Sequence, residues 1–200
     1  RIRQARRRWK CEVNEVLEAK VCEEIRAWSS YALEKPNSNY NDFPACPFAA
    51  KAWADRKVDI QFKHEVSPLP LYSILKNYND DFELIIVVDF EYDDDQERYH
   101  NYLDGINEVI SENCFGDRDL YVMGFHPEDE TNDIIETANF DSTVEYLYGM
   151  IFVQRLGLLC KASEKLMSKG YYDRDHGNYE VKEIIKKRNQ LYRRIINARD

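Results

Sequence analysis

The chain of 200 residues lacks the patterns that mark several common functions. No stretch approaches the roughly 18 consecutive apolar residues of a membrane-spanning helix. There is no glycine-rich phosphate loop of the Walker or dinucleotide type, no Gly-x-Ser-x-Gly nucleophile elbow and no His-Glu-x-x-His motif. Internal repeats and low-complexity segments are absent as well. These absences argue against a membrane protein, against nucleotide binding by those two modes, and against the enzymes that those motifs define.

The five cysteines are widely spaced along the chain. No Cys-x-x-Cys pair occurs, which argues against a zinc knuckle and against a thioredoxin-type motif. An odd number of separated cysteines is typical of reduced thiols in a cytosolic protein, most of them buried. The basic residues at the start are not followed by an apolar signal core. We therefore expect a cytoplasmic protein.

The composition is that of a soluble globular protein, with 32% charged residues, 44% apolar residues and a formal net charge of −9. Residues 1–10 hold six basic residues and no acidic one, and residues 182–200 hold seven basic and two acidic residues. Basic ends on an acidic body suggest either contacts with acidic surface, on this chain or on a partner, or a small nucleic-acid footprint. We favour the first reading, because the acidic body would repel phosphate.

Long helices are predicted at both ends of the chain. Apolar residues recur at steps of three and four over residues 3–33 and again over residues 179–198, which predicts amphipathic helices. The two apolar stripes consist of Trp9, Val13, Val16, Leu17 and Ile25, and of Val181, Ile184, Ile185, Leu191 and Ile195. These stripes pack either on the body of this chain or on another subunit.

Between the terminal helices, three predicted strands alternate with predicted helices. The strands are residues 58–64, 82–90 and 120–125, and the second is apolar on both faces, as a central strand is. Helices are predicted over residues 47–55, 71–75, 96–113 and 141–168. The last of these is apolar around most of its circumference, so we expect it to be buried.

This order of elements predicts an α+β or α/β fold, with helices packed on a small central sheet of three or more strands. We expect a single domain over residues 1–200. It has an N-terminal helix within residues 1–35, an α/β core over residues 44–168 and a C-terminal helix over residues 179–198.

Cys46 is the first candidate functional residue. It follows a polar loop and stands just before a predicted helix start. A helix N-terminus favours negative charge and lowers the pKa of a thiol. Cys46 is therefore a candidate reactive thiolate or metal ligand. The alternative is a small buried residue at the start of the helix.

His126 is the second candidate, because it stands where a predicted strand ends. Functional sites gather at the carboxyl ends of strands in sheets covered by helices. Asp89 ends the central strand, and it lies close to His126 if the two strands are parallel neighbours. With Glu128 and Asp129 these residues form a candidate set of nitrogen and oxygen metal ligands. The alternative is a histidine that caps a strand, with acidic residues solvating a loop. The other histidines carry weaker signals: His64, His100 and His176.

The motifs also resemble those of a protein family. The order Cys46-Pro-Phe-Ala, strand, helix, apolar strand, helix and Phe125-His-Pro127 resembles an uncharacterised family of bacterial proteins with the same two motifs. The likeness covers about residues 44–165. The family usually continues with Asn-Arg-Ser-Pro-Tyr-Pro, whereas this chain reads Thr137-Ala-Asn-Phe-Asp-Ser142. The family has no established activity, so the resemblance implies only that Cys46 and His126 belong to one site.

Two functions of different classes follow from these observations. In the first, an enzyme or metal-binding protein uses a Cys/His site at the edge of the sheet. Either His126 acts as base to the Cys46 thiol, or the two residues hold a divalent metal with a carboxylate such as Asp89 or Glu128. In the second, a non-enzymatic protein binds a partner or forms a homo-oligomer through its terminal helices.

Overall fold

The computed structural model describes residues 15–116, 118–129, 140–173 and 181–198. In this part of the chain, helices pack on a small mixed sheet, which is an α+β fold. The helices are α1 (Glu15–Trp28), α2 (Ala49–Ala54), α3 (Leu69–Lys76), α4 (Gln96–Ser111), α5 (Leu156–Met167) and α6 (Val181–Asn197). The strands are β1 (Val58–Lys63), β2 (Leu84–Asp89), β3 (Leu120–Phe125) and β4 (Gly149–Arg155). A search of the described helices finds none that could span a membrane.

The sheet has the strand order β1-β2-β4-β3. β1 and β2 are parallel, and β4 runs antiparallel to both β2 and β3. β3 therefore runs in the same direction as β1 and β2, although β4 separates it from them. The ends of β1, β2 and β3 consequently lie along one side of the sheet, which we call the carboxyl edge.

The predicted helix over residues 141–168 is wrong in its first half. Residues 149–155 form the strand β4, and only residues 156–167 are helical. β4 lies in the middle of the sheet with helices on both faces, so Ile151, Phe152 and Val153 are all buried. A short apolar run of this kind fits a buried strand and a buried helix equally well in sequence.

The other predicted elements agree with the structure to within a few residues at their ends. The N-terminal helix is confirmed from residue 15, and its last turn, Ser29–Leu33, winds as a π-helix. The first part of that prediction, with Trp9 and Val13, lies outside the described residues, as do Cys11, His176 and the loop over residues 130–139.

The core lies on both faces of the sheet because side chains alternate along each strand. In β2, Ile85 and Val87 face the helices α3 to α6, whereas Ile86 and Val88 face α1. We call these two sides the four-helix face and the α1 face. The sheet is thus the middle of three layers, and both sides of its central strands are apolar.

The apolar stripes of the terminal helices are largely used in this core. Ile25 of α1 is buried on the α1 face, and Leu191 and Ile195 of α6 are buried on the four-helix face. Ion pairs from Lys187 to Asp104 (2.7 Å) and from Arg194 to Glu108 (2.6 Å) join α6 to α4. In the described residues, these positions of the stripes therefore pack on this chain rather than on a partner.

A side chain of α4 bonds to the outer edge of β3 at Val122. The amide of Asn107 donates to the carbonyl of Val122 (2.9 Å), and its oxygen accepts from the N–H of Val122 (2.8 Å). Both residues are buried. The asparagine thus takes the place that a further strand would occupy.

A buried carboxylate ties α1 to the segment that leads into β4. Glu24 accepts hydrogen bonds from the backbone N–H groups of Thr143 (2.6 Å) and Val144 (2.9 Å) and from the hydroxyls of Ser142 (2.7 Å) and Tyr148 (2.9 Å). Burial acts to raise the pKa of Glu24, but these hydrogen bonds favour the ionised form and hold the pKa below its usual range.

We expect Asn107→Leu to lower the free energy of unfolding by at least about 2 kcal/mol, because two buried backbone groups of Val122 lose their partner. Asn101→Leu, at an exposed position of the same helix, is the control, with a change within about 0.5 kcal/mol. Urea unfolding followed by circular dichroism measures both. Equal changes in the two variants would show that Asn107 does not protect the edge.

We also expect the stability contribution of Glu24 to depend on pH. Its pKa is lower in the folded protein than in the unfolded chain, so its charge stabilises the fold above the unfolded value of about 4.3. This contribution is lost as the pH falls below that value. The melting temperature of Glu24→Gln should therefore lie below that of the wild type near neutral pH and decline less between about pH 5 and pH 3. Glu23→Gln, exposed on the same helix, should follow the wild type. If the melting temperatures of all three proteins changed with pH in parallel, the pH-dependent contribution of Glu24 would be contradicted.

Candidate functional site

Polar side chains gather at the carboxyl edge on the four-helix face. Lys63 ends β1, Asp89 ends β2, and His126 follows β3 directly. Asp89 is paired in register with Gly149 of β4, and β3 pairs with the other side of β4. The condition under which Asp89 would lie close to His126, that β2 and β3 are parallel neighbours, is therefore not met, because β4 runs between these two strands.

Asp89 is bound by a lysine that the sequence did not single out. The Lys63 ammonium donates to both carboxylate oxygens of Asp89, at 2.8 and 3.0 Å, and the N–H of Glu91 adds a third bond at 2.9 Å. Lys63 and Asp89 are only 6% and 5% exposed. Burial raises the pKa of Asp89, and the Lys63 ammonium opposes that rise. The cation that faces Asp89 is thus a lysine of the same chain.

His126 is buried, and both of its ring nitrogens are engaged. Nδ1 accepts from the N–H of Glu128 (3.1 Å), so the proton lies on Nε2, which donates to the carbonyl of Asp93 (2.9 Å). The ring packs against Tyr92 and Tyr99, with centroid distances of 5.1 and 5.4 Å. In this arrangement His126 fixes the turn after β3, and a metal at either nitrogen would displace a hydrogen bond.

Asp129 and His100 form a half-exposed polar pair at this edge. Asp129 Oδ1 accepts from His100 Nε2 (2.7 Å) and from Gln96 Nε2 (2.7 Å), and Oδ2 accepts from the backbone N–H of His126 (2.7 Å). The side chain of His100 is 39% exposed. Its other nitrogen, Nδ1, has no hydrogen-bond partner among the described residues.

Cys46 has other neighbours. Its N–H donates to the carbonyl of Leu33 (2.9 Å), and its thiol lies beside the N–H groups of Phe48 and Ala49 and near the carboxylate of Glu34. No described contact joins Cys46 to His126. The amides act to lower the thiol pKa, as expected at a helix start, but burial outweighs them and raises the pKa of Cys46. The direction of the shift is therefore opposite to the one that a helix start alone favours.

The predicted metal ligands do not converge on one point in the described residues. His126, Glu128 and Asp129 share the turn after β3, where Glu128 contributes its backbone N–H and its side chain is exposed. Asp89 is bound to Lys63, and Cys46 lies elsewhere. A search of the described residues finds no group of three or more His, Cys, Asp or Glu side chains that could hold a metal ion.

Two signals could have pointed to the residues that the sequence left aside. Gln96 and His100 stand one helical turn apart, so they face the same side of α4. Lys63 stands at the end of an alternating strand, at the same level of the sheet as Asp89. Their partners lie far away in sequence, which local patterns do not show.

We expect Cys46 to react slowly with iodoacetamide in the folded protein, because it is only partly exposed and its pKa is raised, and the thiolate is the reactive form. Cys114, a free and exposed cysteine, is the internal control and should be alkylated first. Peptide mapping by mass spectrometry after a short labelling time measures both sites, and unfolding in urea should equalise them. Faster labelling of Cys46 than of Cys114 in the folded protein would contradict this prediction and would support the hypothesis that Cys46 is a reactive thiolate.

The chain was compared with protein-family models, with curated proteins and with solved structures, and none of the three comparisons gives a match. The resemblance to the bacterial family, and the joint site of Cys46 and His126 that it implies, stay predictions.

Proposed function

We propose that this protein is a hydrolytic enzyme that uses the His100–Asp129 pair at the carboxyl edge for proton transfer. The observation that carries the proposal is the geometry of this pair. A carboxylate held by fixed donors orients a half-exposed imidazole, whose second nitrogen has no described partner.

The pair has the features of a general base. Asp129 holds His100 through Nε2, which places the proton on that nitrogen and leaves Nδ1 as the acceptor. Nδ1 takes a proton from a water molecule as the water attacks, and the Asp129 carboxylate stabilises the imidazolium that forms. The same nitrogen then returns the proton to the leaving group. Gln96 and the N–H of His126 keep the carboxylate in place during both transfers.

Water is the nucleophile in this proposal. Among the described residues, no serine, threonine or cysteine is hydrogen-bonded to His100, so no side chain is in position for covalent catalysis. Cys46 has no part in the site. The reaction adds water across an ester or amide bond and releases an acid and an alcohol or amine.

The charge around the pair indicates the class of substrate. Asp93, Asp94 and Asp95 directly precede α4, whose first residue, Gln96, binds Asp129. Glu128 stands next to Asp129 with its side chain exposed. Arg98 pairs with Asp93 and Asp95, but the carboxylates outnumber it, so this surface repels phosphate and carboxylate groups. We therefore propose a neutral or cationic ester or amide as the substrate.

The chain provides a matched control in its second histidine–carboxylate pair. His64 Nε2 lies 2.8 Å from Glu18 Oε1, and the side chain of His64 is also 39% exposed. Among the described residues, Glu18 has one hydrogen-bond donor, His64, whereas Asp129 has three, one of them His100. The two histidines thus differ in the anchoring of their carboxylates and not in their exposure.

We expect the wild type to hydrolyse 4-nitrophenyl acetate and to leave 4-nitrophenyl phosphate intact. His100→Gln should lower the rate at least about 100-fold, because the general base is lost. Asp129→Asn should lower it as well, because the orientation of the imidazole is lost. His64→Gln should keep the wild-type rate, which separates the site from surface imidazole chemistry. Equal rates in the wild type and His100→Gln, or equal losses in both histidine variants, would overturn the proposal.

A further inference from the structure

The two outer strands of the sheet are protected very differently. On the outer edge of β3, Asn107 bonds to both backbone groups of Val122, in the middle of the strand, as described above. On β1, the other outer strand, the hydrogen bonds among the described residues go to β2 and to the chain on either side of β2. An open strand edge is a template for pairing with another strand.

The hydrogen bonds between β1 and the β2 side show which backbone groups of β1 face outward. The carbonyls of Lys57 and Lys63 accept from the N–H groups of Leu84 and Phe90, on the β2 side. Because successive residues of a strand alternate in direction, the N–H and C=O of Val58, Ile60 and Phe62 face away from β2. In the described part of the chain, no hydrogen bond reaches these six groups.

β1 also lacks the usual devices that prevent pairing. The strand contains no proline, which would remove an outward N–H. Lysines often protect an edge by projecting from it. Lys63 instead turns onto the four-helix face and binds Asp89, so its charge does not guard the edge.

We propose that β1 pairs antiparallel with β1 of a second copy of this chain, so that two sheets join into one continuous sheet. The contact is isologous, with a two-fold axis at Ile60. Val58 stands opposite Phe62 of the second copy, Phe62 stands opposite Val58, and Ile60 stands opposite its own counterpart. Each of these three pairs exchanges two backbone hydrogen bonds, so all the outward groups of both strands are satisfied.

The side chains favour this register over its neighbours. With the axis at Ile60, Asp59 faces Gln61 of the second copy, and the same two side chains already bond within one chain at 2.8 Å. With the axis at Asp59, two aspartates would face each other, and like charges directly opposite are unfavourable. With the axis at Gln61, Val58 would lose its partner. One register therefore fits both the hydrogen bonds and the charges.

The apolar side chains on the α1 face fit the same partner. Val58, Ile60 and Phe62 are only half-buried, although they belong to the core cluster of that face. Pairing places the same three side chains of the second copy directly beside them and shields them from water. Val16 is 62% exposed on the first turn of α1, the turn from which Glu18 contacts His64 just beyond β1.

The mass in solution tests the proposal first. Sedimentation velocity over a series of concentrations should show a wild-type species of twice 23.8 kDa. Ile60→Pro removes the central pair of hydrogen bonds between copies, while the ladder to β2 keeps all its donors because this N–H faces outward. The variant should be monomeric at concentrations where the wild type is a dimer. Leu158→Lys, at an exposed apolar position on α5, should stay dimeric. A monomeric wild type at all concentrations overturns the proposal.

Site-specific cross-linking tests the register and does not depend on the proline variant. Opposed residues of a hydrogen-bonded pair have Cα atoms about 5.5 Å apart, which a disulfide can span. In a Cys114→Ser background, Ile60→Cys should therefore form a covalent dimer on mild oxidation. Val58→Cys should not, because its counterpart is four residues away along the strand, about 13 Å. The double variant Val58→Cys/Phe62→Cys should cross-link again. Equal cross-linking of both single variants, or none in any variant, would overturn the register.

Discussion

The central position of β4 is the constraint on which the rest of the structure depends. β4 hydrogen-bonds along its whole length to β2 on one side and to β3 on the other, and both of its faces are covered by helices. At its first residue, Gly149, a Cβ would lie 3.2 Å from both Tyr99 Oη and Tyr92 Cβ, so these side chains would have to shift to admit one. The Glu24 carboxylate fixes the chain just before it. The helices α1 and α4 therefore both hold the start of this strand.

β4 also decides what the carboxyl edge can do. By separating β2 from β3, it divides the polar residues of the edge into two groups with separate partners. Asp89 is neutralised by Lys63, and His126 is satisfied by backbone groups, so these buried side chains keep the hydrogen bonds that burial requires. In the proposed function, proton transfer falls to His100, whose side chain on α4 is half-exposed.

Much of the fold could be predicted from the sequence, because local patterns of apolar and polar residues indicate most of its helices and strands. Alternation over residues 58–64 and helical spacing over residues 96–113 reflect one buried and one solvated side, and both elements are confirmed. The failure over residues 141–168 has the opposite cause. β4 is buried on both faces, so it lacks any periodicity, and the adjoining helix α5 extends the apolar run.

The site was less accessible, because its interactions join residues that are distant in sequence. The carboxyl edge was correctly expected to gather polar residues, and Asp89, His126 and Asp129 do lie along it. The partners of Asp89 and Asp129 follow from the strand order and from the docking of α4, which no local pattern gives. For Cys46 the helix start was foreseen, but the strength of burial is a tertiary property and reversed the direction of the pKa shift.

The strand order has a consequence for how the chain assembles as it is made. β1, α3 and β2 are contiguous and can fold as one parallel unit early. The partner of β2 on its other side is β4, which is synthesised only after α4 and β3. Until then β2 has no neighbouring strand on that side. The chain must close a long loop between β2 and β4 before the core is complete. Completion of the sheet is therefore a non-local step, which the chain can take only once β4 has been made.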